Sequence, residues 1–532
     1  MNVPPTYQII YNWDGAPHGY SPVPQTLEQF LDGVFAPLID TQVDALFWCI
    51  GEHTARWQSE NLEQIGEVHG RRYENAAAYI HSENILRMLE RGEDPHSAII
   101  KRGHELGIAV YASLRMNDNH FNGAQLPDLD KLHHSELTQL RKDHPEWLLG
   151  NHTSEWFALS WDLSVPEVRK HRLDHVRELC ENYAWDGIEL DWQRHGFHLP
   201  ADEAFRLRYT ITDLQRAARQ VTDKIGKKRG KPFYVAARIA TSLEACRHIG
   251  YDIETWLKED LVDLLIGGGN AATDPAVEIK AFQKLCKPHG VFFFPGFDSG
   301  VPDPWVGPES TDHKNRLRTR AIALRHHCEG ADGIYVFNWH AGAKGPRREM
   351  LCEVGQVSTL DQQDKIYAAT HRYLCYEGPW RGAYRNDRLL GQVPVPLRPT
   401  LTKCGPVIDI ETAEISIPSA AELRLHLNDW VQGDEVEVIW NDNKLTNMVT
   451  TYNLPSSDAD QHSFPISISD VSGEIWLRFA LDPSLIGKAT HKVEIILTKR
   501  HPQLDCDLIL TDAEIAIAYS DEYATGLLSL PN

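Results

Sequence analysis

Trp185-Asp186-Gly187-Ile188-Glu189-Leu190-Asp191-Trp192-Gln193-Arg194-His195 reads as a buried strand that runs into a cluster of polar and charged groups. Alternate side chains of a strand share a face, so Glu189, Asp191 and Gln193 are expected on one side and Ile188, Leu190 and Trp192 on the other. Two carboxylates this close on one buried face are costly to ionise together. A chain that keeps them is using them. At the carboxyl end of a barrel strand this pattern is typical of a sugar-cleaving site.

Working outward, short apolar runs fall at Gln8–Trp13, Ala45–Gly51, Ile108–Leu114, Gly187–Trp192, Phe233–Ile239, Val262–Ile266, Val291–Phe294 and Gly333–Trp339. Stretches with helical spacing lie between most of them, among them Val165–Tyr183, Phe205–Ile225, Pro275–Cys286 and Lys314–His327. Ser164-Val165-Pro166-Glu167 resembles a capping box with proline in the first turn. Eight strand–helix repeats predict a (β/α)8 barrel over residues 1–376. Asp186-Gly187 recurs as Asp332-Gly333 before the eighth strand, and both aspartates read as turn or packing residues. The connections after strands two and three are long and carry Trp57, His120, Phe121, Trp147, Trp156 and Trp161, as cleft walls or as packing. A proline-rich stretch, 377–400, reads as a linker or wrapped segment. Alternating strands over 401–532 then predict an antiparallel β-sandwich that braces the barrel or binds carbohydrate. Its Trp430, Trp440 and Trp476 read as core before sugar contacts.

A net charge of −22 argues against nucleic acid and anionic membrane surfaces as partners. No apolar run reaches the roughly 18–20 residues of a membrane span. The amino-terminal residues show no secretory signal, and the nine cysteines form no C-x-x-C pair. The expected location is cytoplasmic, with buried free thiols.

In a barrel, the polar residues at strand ends are the candidates for chemistry. These are Asp14, then Glu52 and His53, then Arg115, Asn117, Asp118 and His120. Strand four adds Glu189, Asp191, Gln193, Arg194 and His195; the later strands add Arg238, Asn270, Asp298, Asn338, Trp339 and His340. Glycoside cleavage needs one carboxyl as acid and a second as nucleophile or base. Asp191 is the first choice, with Glu189, Asp298 or Glu52 as its partner. Arg115, Arg194 and Arg238 would either balance these carboxylates or fork onto an anionic sugar, uronic or sulfated. No ligand spacing for a metal stands out, and no cofactor motif is present. Gly267-Gly268-Gly269 is expected to let the backbone approach a ligand.

Asp186-Gly-Ile-Glu189-Leu-Asp191-Trp-Gln193 resembles the strand-four signature of family 18 chitinases, D-G-x-D-x-D-x-E. It departs at Glu189 and at Gln193, where that family has its acid, and the strand-three serine–glycine motif is missing from Ala109–Leu114. A closer resemblance is to the family-10-like glycosidases (glycosyl hydrolase-like 10, the DUF187 type). It rests on Arg115-Met116-Asn117-Asp118-Asn119-His120, on Trp161-Asp162-Leu163-Ser164 with Pro166-Glu167-Val168-Arg169, on Asp186–Arg194, and on the appended sandwich. It implies a (β/α)8 glycosidase of bacterial or algal polysaccharide, with Asn117, Asp118, Asp191 and Arg194 at the site. The expectation is therefore a glycoside hydrolase, exo-acting because of its long loops, that binds an oligo- or polysaccharide. Its catalytic residues would be Asp191 with Glu189 or Asp298. Its substrate contacts would be Asp14, Glu52, Arg115, Asn117, Asp118, His120, Gln193, Arg194, His195, Arg238, Asn270 and Trp339. The alternatives are an inactive carbohydrate-binding protein on the same fold, or a metal-dependent lyase or isomerase using the histidines. The oligomeric state is open, a homo-oligomer included.

Overall fold

The computed structural model describes residues 4–13, 23–51, 53–117, 119–121, 123–153, 155–268, 276–297, 311–370, 391–399, 404–452 and 474–530. Eight parallel strands close a barrel in sequence order: β1 Ile9–Trp13, β2 Val43–Gly51, β3 Ala109–Arg115, β4 Gly187–Asp191, β5 Tyr234–Ile239, β6 Leu264–Gly267, β7 Phe292–Phe297 and β8 Ile334–Val336. Each matches one of the apolar runs, because strands buried on both faces need continuous hydrophobic sequence. The interior is filled by side chains from successive strands, among them Ile10, Phe47, Tyr111, Ala236, Ile266, Phe294 and Tyr335.

The Asp-Gly echo has a structural basis wider than the two copies visible in the sequence. Asp186 Oδ2 accepts the Val110 N–H of β3 at 2.9 Å, and Asp332 Oδ2 accepts the Phe293 N–H of β7 at 2.8 Å. Asp44 does the same for Gln8 beside β1 at 2.6 Å, and Asp263 for Val235 of β5 at 2.7 Å. Every even strand thus opens with an aspartate that caps the start of the strand before it. The glycines after Asp186 and Asp332 are required by space. A Cβ on Gly187 would lie 2.3 Å from the Tyr111 ring, and one on Gly333 would lie 2.2 Å from the Tyr7 carbonyl oxygen. Asp332→Ala is expected to lower stability by about 1–3 kcal/mol, because it strips a backbone N–H and the Gln283 amide of their acceptor. Activity per folded molecule should not change. A denaturant titration beside an activity assay checks both.

The helix expected at Val165–Tyr183 spans Pro166–Asn182, but no capping box forms. The N-cap is Val165, so Ser164 sits one position too early, and its N–H is taken by Asp162. The expected Phe205–Ile225 helix is broken into Ala204–Leu207 and Tyr209–Arg229.

Contacts divide the chain into two compact units. The first holds 1–299, 329–355 and 375–386, and the second holds 300–328, 356–374 and 387–532. The second unit contains two antiparallel sheets. One has the order β10 Val395–Leu397, β18 Leu508–Ala518, β12 Ala420–Asn428, β16 Ile475–Leu481, β15 Val449–Tyr452, with β9 Lys365–Ala368 also paired to β18. The other runs β11 Val407–Ala413, β17 Lys488–Lys499, β13 Glu435–Trp440, β14 Asn443–Lys444. Strands β9 and β10 lie where the sequence reading placed barrel and linker, because four- and three-residue strands leave too short a pattern to read. Trp440 and Trp476 are buried in this unit's core. The helix Thr311–Glu329 contributes Lys314 and Arg318, which pair with buried Glu514 at 3.3 and 2.8 Å. Among the described residues no helix is long and apolar enough to cross a membrane.

Candidate active site

Strand register builds the site in two rows. Across β3, β4 and β5, Arg115 stands beside Asp191 and Asp191 beside Arg238. Two residues deeper, Ser113 stands beside Glu189 and Glu189 beside Ala236. Asn12 of β1, on the far side of the barrel, donates from Nδ2 to Glu189 Oε2 at 3.1 Å and to Ser113 Oγ at 3.0 Å. Contact between non-adjacent strands places both rows inside the barrel.

Glu189 is fully buried, with 0% of its surface exposed. The Ser113 hydroxyl donates to Oε2 at 2.5 Å, and the Tyr335 phenol faces the same carboxyl. Burial, and then the charge of Asp191, push the Glu189 carboxyl up to about 7, against the opposing pull of Ser113, Arg238 and Tyr335. This residue therefore holds a proton close to neutral pH. Asp191 is surrounded by donors instead. Its Oδ1 accepts the backbone N–H groups of Gln193 at 3.1 Å and Arg194 at 3.0 Å, and its Oδ2 accepts from Arg238 Nη1 at 3.2 Å.

These hydrogen bonds explain why Gln193 does not continue the alternation. The strand ends at Asp191, whose own side chain caps the turn that follows. Gln193 is buried, with its Oε1 3.4 Å from the Tyr251 hydroxyl.

Above the rows, three guanidinium groups converge on one ring. Arg238, Arg194 and Arg115 lie 3.8, 5.4 and 5.7 Å from the centroid of Phe337. Arg194 Nη2 donates to His120 Nε2 at 3.0 Å, which requires an unprotonated nitrogen there. His195 accepts the Asn119 N–H on Nδ1 at 3.0 Å and meets His120 edge to face. Past β8 the backbone is strained: Asn338 and His340 both have φ of 48°, a conformation that collects at functional sites.

The structure thus brings Glu189, Asp191, Arg115, Arg194, Arg238 and His120 together, with His195 beside them. Asn117 braces the scaffold: its amide donates to the carbonyls of Trp161 and Phe197 and accepts the Trp161 N–H. Trp339 is buried and its indole N–H is held by the Arg347 carbonyl at 2.8 Å. Gly268 lets β7 come close, since a Cβ there would lie 3.3 Å from the Gly296 Cα, and Gly269 lies outside the described residues. Asp14, Glu52, Asp118, Asn270 and Asp298 lie outside the described residues. Sequence reasoning missed Asn12, Ser113 and Tyr335. They sit inside strands, where the only signal is a lone polar group on an inward position. Among the described residues no group of three His, Cys, Asp or Glu side chains has the arrangement of a metal site.

No family model matches the chain, and no curated protein does. Solved structures give distant likenesses. An α-amylase from Geobacillus thermoleovorans shares 10% identity at a TM-score of 0.38, over 94% of this chain and 100% of that one. A cycloisomaltooligosaccharide glucanotransferase from a Paenibacillus species shares 10% at 0.34, over 95% and 57%. A family 18 N-acetylglucosaminidase from Paenibacillus barengoltzii shares 11% at 0.33, over 66% and 99%. The chain thus spans little more than half the length of the glucanotransferase. Likenesses this distant fix neither family nor reaction.

Proposed function

We propose that the protein is a glycoside hydrolase acting on an acidic oligo- or polysaccharide, with Asp191 as nucleophile or base. Glu189 serves as the carboxyl that holds the proton, and Asp298 is the other candidate for the acid. The observation that carries the reading is the β4 pair: one carboxyl ringed by fixed donors, the other buried beneath it and protonated near neutrality. Environments that separate two neighbouring carboxyls in this way divide the work of acid and base. The arginines around Phe337, with His120 and His195, form the substrate side, and guanidinium forks suit uronic or sulfated sugars. Membership of the family-10-like glycosidases belongs to the same proposal.

The experiment is a hydrolysis screen of aryl α- and β-glycosides, uronides included, with neutral, uronic and sulfated oligosaccharides, on wild type and Asp191→Asn. Sugar released by the wild type alone supports the assignment and names the substrate class. Equal release by both places the chemistry elsewhere. A silent wild type that still binds glycans turns the reading to a binding protein. Gln193 favours that outcome, since a buried amide stands where the chitinase-like motif has its acid.

A further inference from the structure

We propose a second carbohydrate-contacting surface, formed by Phe205, Tyr209, Arg208 and Arg247, that holds acidic sugar units of a polysaccharide away from the cleavage point. It rests on the hydrolase reading above, and it concerns residues that reading does not use.

Phe205 and Tyr209 are large aromatics left in water, 42% and 56% exposed. Exposed aromatics held rigidly are unusual unless something covers them. Here they are held. The Arg208 and Arg247 guanidinium groups lie 4.3 and 4.5 Å from the Phe205 ring centroid. Arg208 is itself locked: Nη1 donates to the Phe205 carbonyl at 2.8 Å and Nε to Asp252 at 3.2 Å. Arg247 belongs to the helix Leu243–Ile249, whose N-cap Ser242 accepts the Ala245 N–H at 3.1 Å. That helix ends at Gly250, with φ of 101°. A Cβ there would lie 2.9 Å from the Ala204 carbonyl oxygen, so only glycine lets the two helices meet this closely.

The surface belongs to elements that follow the site's strands. Tyr251, directly after Gly250, donates to the Trp192 carbonyl at 2.6 Å, one residue beyond Asp191. The Phe205 and Arg247 helices follow the carboxyl ends of β4 and β5, which carry Asp191 and Arg238.

Charge selects the occupant. Three acids near in sequence have other neighbours: Glu203 pairs with Arg206 at 2.7 Å, Asp252 pairs with Arg208, and Glu244 lies 3.7 Å from His248. Among the described residues Arg247 makes no ion pair, in a chain with 75 acidic against 53 basic residues. A guanidinium fork on an aromatic ring takes a carboxylate or sulfate, while the neighbouring ring takes the apolar face of the sugar. A neutral glucan would satisfy the rings alone.

The test is affinity electrophoresis through gels containing polygalacturonate, alginate, a sulfated galactan or neutral amylose. The proteins compared are wild type, Arg247→Gln and the double variant Phe205→Ala/Tyr209→Ala. Wild type should be retarded by acidic polymers in a salt-sensitive way, and both variants should bind them roughly tenfold more weakly. All of these side chains are exposed or partly exposed, so melting temperature and aryl-glycoside hydrolysis should not move. Retardation of the variants equal to wild type overturns the proposal, as does equal retardation of wild type by amylose. Aryl-glycoside turnover without acidic-polymer binding removes this surface and leaves the hydrolase. Binding lost in both variants of a protein without turnover removes the hydrolase and leaves the surface.

Discussion

Asp191→Asn is expected to reduce glycoside turnover by on the order of 10⁴-fold, the scale on which losing one member of a catalytic group acts. The asparagine oxygen still accepts the Gln193 and Arg194 N–H groups, so the turn after β4 survives. What disappears is the negative charge opposite Arg238. The nucleophile or base is lost, and a buried ion pair is broken at a cost of about 3 kcal/mol. The variant should therefore fold, melt at a lower temperature, and keep its affinity for sugar within a few-fold. Circular dichroism melts, product release and glycan binding measured together separate these effects. Turnover near the wild-type level would sink the assignment.

The second large effect is at Glu189, and it depends on pH. In the unfolded chain the carboxyl titrates at its ordinary 4.5, and in the folded protein at about 7. Below 4.5 both states are protonated and the stability is fully present. As pH rises the unfolded chain ionises first, and stability is lost until about 7, where the loss is complete. A change from 4.5 to about 7 corresponds to about 3 kcal/mol. Glu189→Gln stays neutral throughout. It should match wild type near pH 4 and exceed it by about 3 kcal/mol near pH 8, in urea denaturation at the two values. Turnover should move the other way. The variant has no proton to give, a loss of about 10²- to 10⁴-fold, and wild-type turnover should decline as pH passes about 7. A variant no more stable at pH 8 would mean that the Glu189 carboxyl titrates near its ordinary 4.5 in the folded protein.

The barrel was legible because eight doubly buried strands each need a run of apolar residues, and the runs at Gln8–Trp13 through Gly333–Trp339 stand out from amphipathic helices. The β4 pair was legible because carboxylates are conspicuous in such a run. Asn12 was not, since one asparagine in an apolar strand looks the same whether it faces a carboxyl or a helix. Its partner is 177 residues away, and only barrel closure brings the two together. Their positions at strand ends make Asn117 and Trp339 expected substrate contacts. Yet the same positions supply the scaffold bonds that hold the long loops, and residue type does not distinguish the two uses. The Ser164 capping box failed for a local reason, a helix that starts one residue late.

The four aspartates at the even strands divide the barrel into strand pairs: β1 with β2, β3 with β4, β5 with β6, β7 with β8. Each pair carries its own tie at the amino-terminal rim, opposite the carboxyl end where Asp191 lies. A circular permutation opened between pairs, after β2, β4 or β6, leaves all four ties within continuous stretches of chain. One opened inside a pair makes its tie span the new ends. The barrel is in this sense a ring of four tied strand pairs.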